Sequence, residues 1–325
     1  MAKERANPNV PADAAERPAR FGFLLLSGFP LMSYASAVEP LRAANQLSGR
    51  ALYDWVHLSF DGGPLVASNG VTFPADCSLD DAPHLDALFV CSGGNPAQFD
   101  HPPPFALLRT LAHRGIQMGG MSGGSYVLAR AGLLGGHRCT VHWEHIPAFV
   151  EEFPRLRIER TLFVIDRNRI TCAGGVAALD MMIELVARAH GADLANAVSE
   201  WYLHTRTRSG TDSQRMALRE RTGIANARLL NTLAAMEAET ENPVSRSELA
   251  RTAGVTLRQL ERLFADHLGT TISKRYAEIR LERARTLLRQ STLSVAEVAV
   301  ACGFVSTSHF SRVYKARFGL QPRQE

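Results

Sequence analysis

Hydrophobic residues follow two different patterns along the chain. Up to about residue 204, short apolar runs alternate with amphipathic helical stretches. The runs that predict strands are 21–26, 55–60, 87–91 and 115–119, and the helical stretches include 35–47 and 105–113. Such alternation predicts a doubly wound α/β domain with a flavodoxin-like sheet and a ligand crevice at the carboxyl ends of its strands.

In the C-terminal part, apolar residues recur at helical spacing, and one pattern is present twice. Leu249, Ala250 and Gly254 have counterparts 49 residues later, and Leu260, Phe264 and Gly269 have counterparts 50 residues later. Each copy has a short helix that ends at a glycine, followed by a second helix with one apolar stripe. The pattern predicts an all-α domain with two helix-turn-helix units. A helix over 273–290 joins them, and its length of roughly 27 Å suits two contacts about one DNA turn apart.

Polar residues at the start of each second helix are the candidate DNA contacts. They are Thr256, Arg258, Gln259 and Arg262 in the first unit, and Ser306, Thr307, Ser308, His309 and Arg312 in the second. Thr256 and Ser306 also suit helix capping. Arginine and glutamine favour bidentate contacts to base edges, so the first unit is the better candidate for base readout in the major groove. Each residue alone fits a solvated helix face equally well, whereas the duplication favours DNA binding.

Charge is distributed unevenly between the two parts. Residues 215–325 hold 18 lysines and arginines against 11 acidic residues, a net charge of +7, and residues 1–214 hold 18 against 21, a net charge of −3. The basic part is the one with the duplicated pattern. This excess supplies the sequence-independent attraction to phosphates that DNA binding requires.

Composition divides the chain into four segments. They are a disordered tail at 1–20, a ligand-sensing and dimerisation domain at 21–208, a polar linker at 209–224 and a DNA-binding domain at 225–325. No apolar run suits a signal peptide or a membrane helix, which predicts a cytoplasmic protein without a membrane partner. The five cysteines are odd in number and lack metal-ligand spacing, so neither a metal nor a cofactor is expected.

Candidate site residues cluster where the predicted strands end. Residues 119–125 read Gly-Gly-Met-Ser-Gly-Gly-Ser, which resembles a nucleophile elbow, a sharp turn between a strand and a helix. Ser122 lies at its tip. The candidate ligand-binding residues are Glu39, Gly93, Gly94, Ser122, Gly123, His142 and Trp143. The glycine amides suit an anion, while Glu39 and an aromatic wall of Trp143, Phe29 and Tyr34 suit a cation. Each of these residues also has a purely structural interpretation, as a turn, a helix surface or core.

Several stretches resemble known families. Residues 293–299, 302–304, 308–312 and 318–323 resemble the signature of AraC/XylS transcription regulators. Residues 21–208 resemble the PfpI/ThiJ branch of the class I glutamine amidotransferase-like superfamily, and the combination resembles GlxA-type regulators. In enzymatic members the elbow carries cysteine, a glutamate of the first helix contacts it, and a histidine follows near His142. Position 122 departs from that pattern, because it carries serine instead of cysteine. The departure bears on catalysis, since a serine alcohol needs a positioned general base.

The resemblance implies a homodimeric, ligand-responsive transcription regulator, with a leaning toward activation through RNA polymerase. The subgroup that it resembles senses arginine, glycine betaine, carnitine or related amino acids. In the expected mechanism, ligand binding changes the association of two N-terminal domains or the packing of the linker. Two alternatives remain open: a hydrolase or amidase that uses Ser122 in a DNA-tethered protein, and a constitutive DNA-binding protein whose N-terminal domain only dimerises.

Overall fold

A computed structural model describes residues 17–95 and 105–325 of the chain. Its N-terminal domain contains the strands β1 (Ala19–Leu25), β2 (Tyr53–Ser59), β3 (Leu65–Val66), β4 (Thr72–Phe73), β5 (Cys77–Ser78), β6 (Ala87–Ser92), β7 (Gln117–Ser122), β8 (Arg138–Cys139), β9 (Arg157–Ile158), β10 (Phe163–Asp166) and β11 (Arg169–Cys172). Its helices are α1 (Leu31–Ser48), α2 (Phe105–His113), α3 (Gly124–Arg130), α4 (Ile146–Glu152), α5 (Ala177–His190) and α6 (Ala192–Trp201).

The main sheet has the strand order β10-β11-β7-β6-β1-β2-β5, and its strands are parallel except where β10 meets β11. Side chains alternate between its two faces. Phe23 and Phe89 pack with α1, α5 and α6 on one face, while Leu24 and Val90 pack with α2, α3 and α4 on the other. The predicted doubly wound α/β fold is therefore confirmed, with one antiparallel edge that the apolar runs did not indicate.

The C-terminal part is helical. It contains α7 (Leu218–Thr222), α8 (Ala227–Ala238), α9 (Arg246–Thr252), α10 (Leu257–Leu268), α11 (Ile272–Gln290), α12 (Val295–Ala301), α13 (Thr307–Phe318) and a 3-10 helix over Pro322–Gln324. Thr256 and Ser306 cap α10 and α13 with their side chains, as predicted. Gly254 and Gly303 have φ values of 65° and 69°, the left-handed conformation expected after the first helix of each unit.

Helix α11 belongs to both helix-turn-helix units. Tyr276 and Ile279 pack in the core of the first unit, whereas Ala284 and Leu287 pack in the core of the second. The second core is continuous with buried residues of α3 and α4 in the N-terminal domain. The two domains therefore meet along the second unit and the C-terminal half of α11.

Two of the segment boundaries predicted from composition differ from the observed elements. Strand β1 begins at Ala19, and Arg17 pairs with Asp86 across 2.7 Å, so ordered structure begins before residue 21. The rest of the predicted tail lies outside the described residues. In the predicted linker, the Gln214 amide donates to Thr140 Oγ1, Val141 O and Thr161 O, and α7 follows. The part of this segment around Gln214 is therefore packed on the N-terminal domain, whereas Leu218 of α7 packs against the core of the first helix-turn-helix unit. No helix among residues 17–95 and 105–325 has the length and hydropathy needed to cross a membrane.

Candidate functional site

The elbow between β7 and α3 has the geometry that the glycine-rich sequence predicts. Ser122 is 6% exposed and has a φ of 56°, a left-handed value that is uncommon for a residue other than glycine. A Cβ at position 124 would lie 1.9 Å from Val90 O, and a Cβ at Gly174 would lie 2.8 Å from the Ser122 Cβ. The glycines are thus required because neighbouring backbone and the elbow itself approach closely.

A cavity of about 500 Å³ opens above this elbow. We call it the elbow cavity; it is lined by Pro30, Met32, Ser33, Gly93, Gly94, Asn95, Ser122, His142, Glu144, His145, Gly175, Arg289 and Gln290. Of the predicted ligand-binding residues, the structure brings Gly93, Gly94, Ser122 and His142 together here. Glu39, Gly123 and Trp143 are not among the lining residues. The volume lies within the range typical of small-molecule sites.

Glu39 lies outside the cavity, contrary to the expectation from the sequence. Its carboxylate accepts hydrogen bonds from Arg42 at 2.6 Å and from the Tyr202 hydroxyl at 2.9 Å. The residue of α1 that reaches the elbow is Ser33, whose Oγ accepts from the Gly175 amide at 2.7 Å. Six positions separate Ser33 from Glu39, or about 240° around a helix, so the two side chains cannot face the same side.

None of the three rings expected to form an aromatic wall is among the described residues that line the elbow cavity. Trp143 is 41% exposed and turns toward Arg215, whose guanidinium lies 4.6 Å from the ring centroid. Phe29 is fully buried in the core beneath α1, and the Tyr34 hydroxyl bonds His57 at 2.5 Å. The chemistry of these rings suggested a wall near the elbow, but each ring packs against other partners.

Hydrogen bonding at the elbow also differs from that of a serine nucleophile. The Gly123 N–H donates to Ser92 O at 2.8 Å and is therefore not directed at a ligand. Among the described residues, no hydrogen bond joins Ser122 to His142. The Nδ1 atom of His142 instead accepts from the Glu144 N–H at 3.4 Å. Burial lowers the pKa of His142, and the neighbouring His145 lowers it further, so this imidazole is neutral near pH 7.

The cavity contains residues that were not candidates from the sequence. Glu144 supplies the acidic group expected of Glu39, and Arg289 and Gln290 come from α11 of the other domain. Glu144 could have been selected because it follows His142 in the same short motif. Arg289 and Gln290 carried no local signal, since their position depends on how the two domains pack.

The candidate DNA contacts are all exposed on the two second helices, at the ends that point away from the cores. Arg258, Arg262 and Arg312 have no hydrogen bond or ion pair to another described residue. Gln259 differs, because its Oε1 accepts from the Thr256 N–H at 2.9 Å in a capping box. A bidentate contact from Gln259 to adenine would require that capping bond to break, which favours the arginines as base readers.

A doubly wound domain with a polar cavity, joined to two helix-turn-helix units on one shared helix, defines a two-domain transcription regulator. Residues 23–188 match the DJ-1/PfpI family, and residues 249–325 match a helix-turn-helix domain. The chain belongs to the family of transcription regulators that join these two domains, and the resemblance found in the sequence is confirmed.

Full-length relatives support this assignment. The HTH-type transcriptional regulator CdhR of Pseudomonas aeruginosa is 48% identical over 305 residues, 94% of this chain and 90% of CdhR. GbdR of the same species is 46% identical over 318 residues, 98% of this chain and 86% of GbdR. GlxA of Rhizobium meliloti is 46% identical, over 93% of this chain and 94% of GlxA. A crystal structure of an AraC family regulator from Pseudomonas putida covers 57% of this chain and 100% of that one, with 33% identity and a TM-score of 0.53.

Proposed function

We propose that this regulator responds to a small zwitterionic metabolite bound in the elbow cavity. The observation that carries the proposal is the cavity itself, which brings several polar and charged groups together beside the elbow, in a chain whose other domain is of a DNA-binding type. The sequence resemblance implies arginine, glycine betaine, carnitine or a related amino acid. Activation of transcription, homodimerisation and contact with RNA polymerase are further parts of this proposal.

The charges around the cavity suit such a ligand. Glu144 offers a carboxylate to an ammonium or guanidinium group, and Arg289 offers a guanidinium to a carboxylate. Ser122 and Asn95 add hydrogen-bonding groups to the same lining. Because the rings of Trp143, Phe29 and Tyr34 lie outside the lining, recognition of the cationic end rests on charge and hydrogen bonding rather than on an aromatic cage.

We propose that Ser122 binds ligand and does not act as a nucleophile. A serine nucleophile needs a base within hydrogen-bond reach and a third group that orients the base. The Nδ1 of His142 accepts from a backbone amide, and Glu39, expected to contact the elbow, is paired with Arg42 and Tyr202. This arrangement supports binding and gives no support to the hydrolase alternative.

A thermal-shift screen of the purified chain against arginine, glycine betaine, carnitine, choline and other amino acids tests the proposal. We expect one of the zwitterions to raise the unfolding midpoint in the wild type and in Glu39→Gln, and to lose its effect in Glu144→Gln. Glu39→Gln is the matched control, because it removes the same charge outside the cavity. Equal loss in both variants, or no shift with any compound, would refute the proposed ligand class. Turnover of any compound that Ser122→Ala abolishes would instead establish an enzyme.

For DNA, we propose that Arg258 and Arg262 read bases and that the second unit mainly contacts phosphates. Fluorescence anisotropy with operator DNA selected in vitro tests this assignment. A base-reading arginine replaced by alanine is expected to cost about 1–3 kcal/mol on the selected site, with little effect on random DNA. Arg246→Ala is the control. Arg246 is an exposed arginine of α9, the helix before α10, and it pairs with Glu261 of α10. A loss of the same size on random DNA would mean that Arg258 and Arg262 contact phosphates.

A further inference from the structure

A helix of the DNA-binding domain forms part of the wall of the elbow cavity. Two of its lining residues, Arg289 and Gln290, are the last residues of α11, the helix that joins the two helix-turn-helix units. We infer that the effector is bound by both domains of the same chain, so that occupancy of the cavity sets how α11 docks on the N-terminal domain. This inference rests on the proposed function and names a regulatory contact for the same site.

Among residues 17–95 and 105–325, three polar contacts join α11 to the N-terminal domain. His145 Nδ1 lies 3.0 Å from Gln290 Oε1, and both side chains are more than nine-tenths buried. The Asn95 side-chain amide donates to the carbonyl of Arg289 at the C-terminal end of the helix. Six residues before Arg289, Arg283 pairs with Glu151 of α4 at 2.9 Å. Two of the three contacts involve residues of the cavity wall itself.

The docked arrangement orients the DNA-binding units without covering them. The candidate base and phosphate contacts of α10 and α13 remain exposed while α11 is docked. Because α11 is part of both cores, a change at its C-terminal end affects the position of the second unit relative to the first. A ligand that binds the docked state more tightly than the undocked state therefore shifts the population toward one spacing of α10 and α13.

Arg289 is the residue of α11 best suited to bind the effector. It lines the cavity while its guanidinium pairs with Glu325, which also pairs with Arg285. An effector carboxylate can share the Arg289 guanidinium, since arginine presents five donors. Arg285 shares the same acidic partner but does not line the elbow cavity, so it provides a matched control.

The test uses the full-length chain with Ser122→Cys, which places a thiol on the cavity floor, and Cys77→Ser, which removes the one native cysteine that is not buried. The rate of reaction with a small thiol reagent reports access to the cavity. Glu151→Arg is the undocking variant, and Glu151→Arg with Arg283→Glu restores the ion pair with reversed charges. Hydrogen exchange over α11 and circular dichroism show that each variant is folded and whether α11 has detached.

We expect labelling about ten-fold faster in Glu151→Arg, with the rate largely restored in the double variant and unchanged in Arg285→Ala. Glycine betaine, carnitine or arginine should slow labelling in this background, and the effect should be lost in Arg289→Ala but kept in Arg285→Ala. Equal labelling rates in the docked and undocked proteins would overturn the inference, because α11 would then not cover the cavity.

The remaining outcomes separate the inference from the proposed function. If a compound protects equally with and without Arg289, the effector is bound by the N-terminal domain alone, and only the inference fails. If undocking accelerates labelling but none of the three compounds slows it, α11 does form the cavity wall. The ligand class then fails if the thermal-shift screen, with Ser122 intact, also shows no effect of these compounds.

Discussion

Asp180 anchors the segment through which the N-terminal domain leads to the rest of the chain. It lies on α5 with no exposed surface, and its two oxygens accept four hydrogen bonds. His204 Nε2 and the Arg208 N–H donate to Oδ1 at 2.8 Å, and the Arg208 guanidinium donates to Oδ2 at 3.0 and 2.7 Å. Replacing Asp180 with alanine removes every acceptor at once.

The free energy of unfolding that Asp180→Ala should lose depends on how exposed the hydrogen-bond donors are. Breaking a buried ion pair costs about 3–5 kcal/mol when the remaining charge has no access to water. The Arg208 side chain is 36% exposed and can be rehydrated, whereas His204 is 17% exposed and cannot fully recover its bond. We therefore expect a loss of about 3 kcal/mol from the free energy of unfolding. For a domain of this size, that corresponds to a decrease of about 6–12 °C in the unfolding midpoint.

Glu184→Ala is the control on the same helix. Glu184 pairs with Arg188 at 2.8 Å, but the two side chains are 39% and 55% exposed, so the pair should contribute only about 0.3–0.5 kcal/mol. Thermal unfolding followed by circular dichroism compares the two variants with the wild type. If Asp180→Ala and Glu184→Ala lowered the midpoint by the same amount, burial would not be what makes the Asp180 contacts stabilising.

Two further predictions concern the elbow and the docked helix. Gly124→Ala should destabilise the fold by about 3 kcal/mol or more, because its Cβ would lie 1.9 Å from Val90 O. Gly135→Ala is the control, since a Cβ there meets open space, and this variant should unfold in urea like the wild type. Equal urea midpoints for the two variants would contradict this account. Burial lowers the pKa values of His142 and His145 from 6.5, so the folded, docked state favours the neutral imidazoles. The stability that they contribute is fully present above about pH 6.5 and declines as the pH falls. The unfolding midpoint should therefore drop more between about pH 7.5 and 5.5 in the wild type than in His145→Gln, and parallel pH profiles would exclude His145 as the cause.

Local patterns in the sequence were enough to predict most of the fold. The caps at Thr256 and Ser306 and the left-handed glycines at 254 and 303 are properties of a few consecutive residues, and all were confirmed. The start of α1 was predicted at residue 35, but the helix begins at Leu31. Its first turn has no side-chain cap, and Pro30 stands at the N-cap position, so the sequence carried no start signal there.

Site residues were harder to predict because a site depends on side-chain direction. Gly93, Gly94 and Ser122 were found because neighbouring parallel strands bring their carboxyl ends together at one edge of the sheet. Glu39 and Trp143 have chemistry that suits a ligand, but neither lines the elbow cavity. Their directions, however, are set by helix phase and by the partners Arg42 and Arg215, which no periodicity of the sequence indicates.

The contact between the two domains was not predicted from the sequence, because it depends on side-chain direction and packing rather than on local patterns. The polar composition of residues 209–224 predicted a linker, with coupling either through the association of two N-terminal domains or through the packing of that linker. In the structure, Gln214 of that segment is bonded to three groups of the N-terminal domain, and Gln290 reaches His145 across 145 positions of the chain. A cavity wall formed by α11 needs no change of dimer geometry to transmit occupancy to the DNA-binding units. The shortest physical path from effector to DNA therefore runs within one chain, along the helix that both units share.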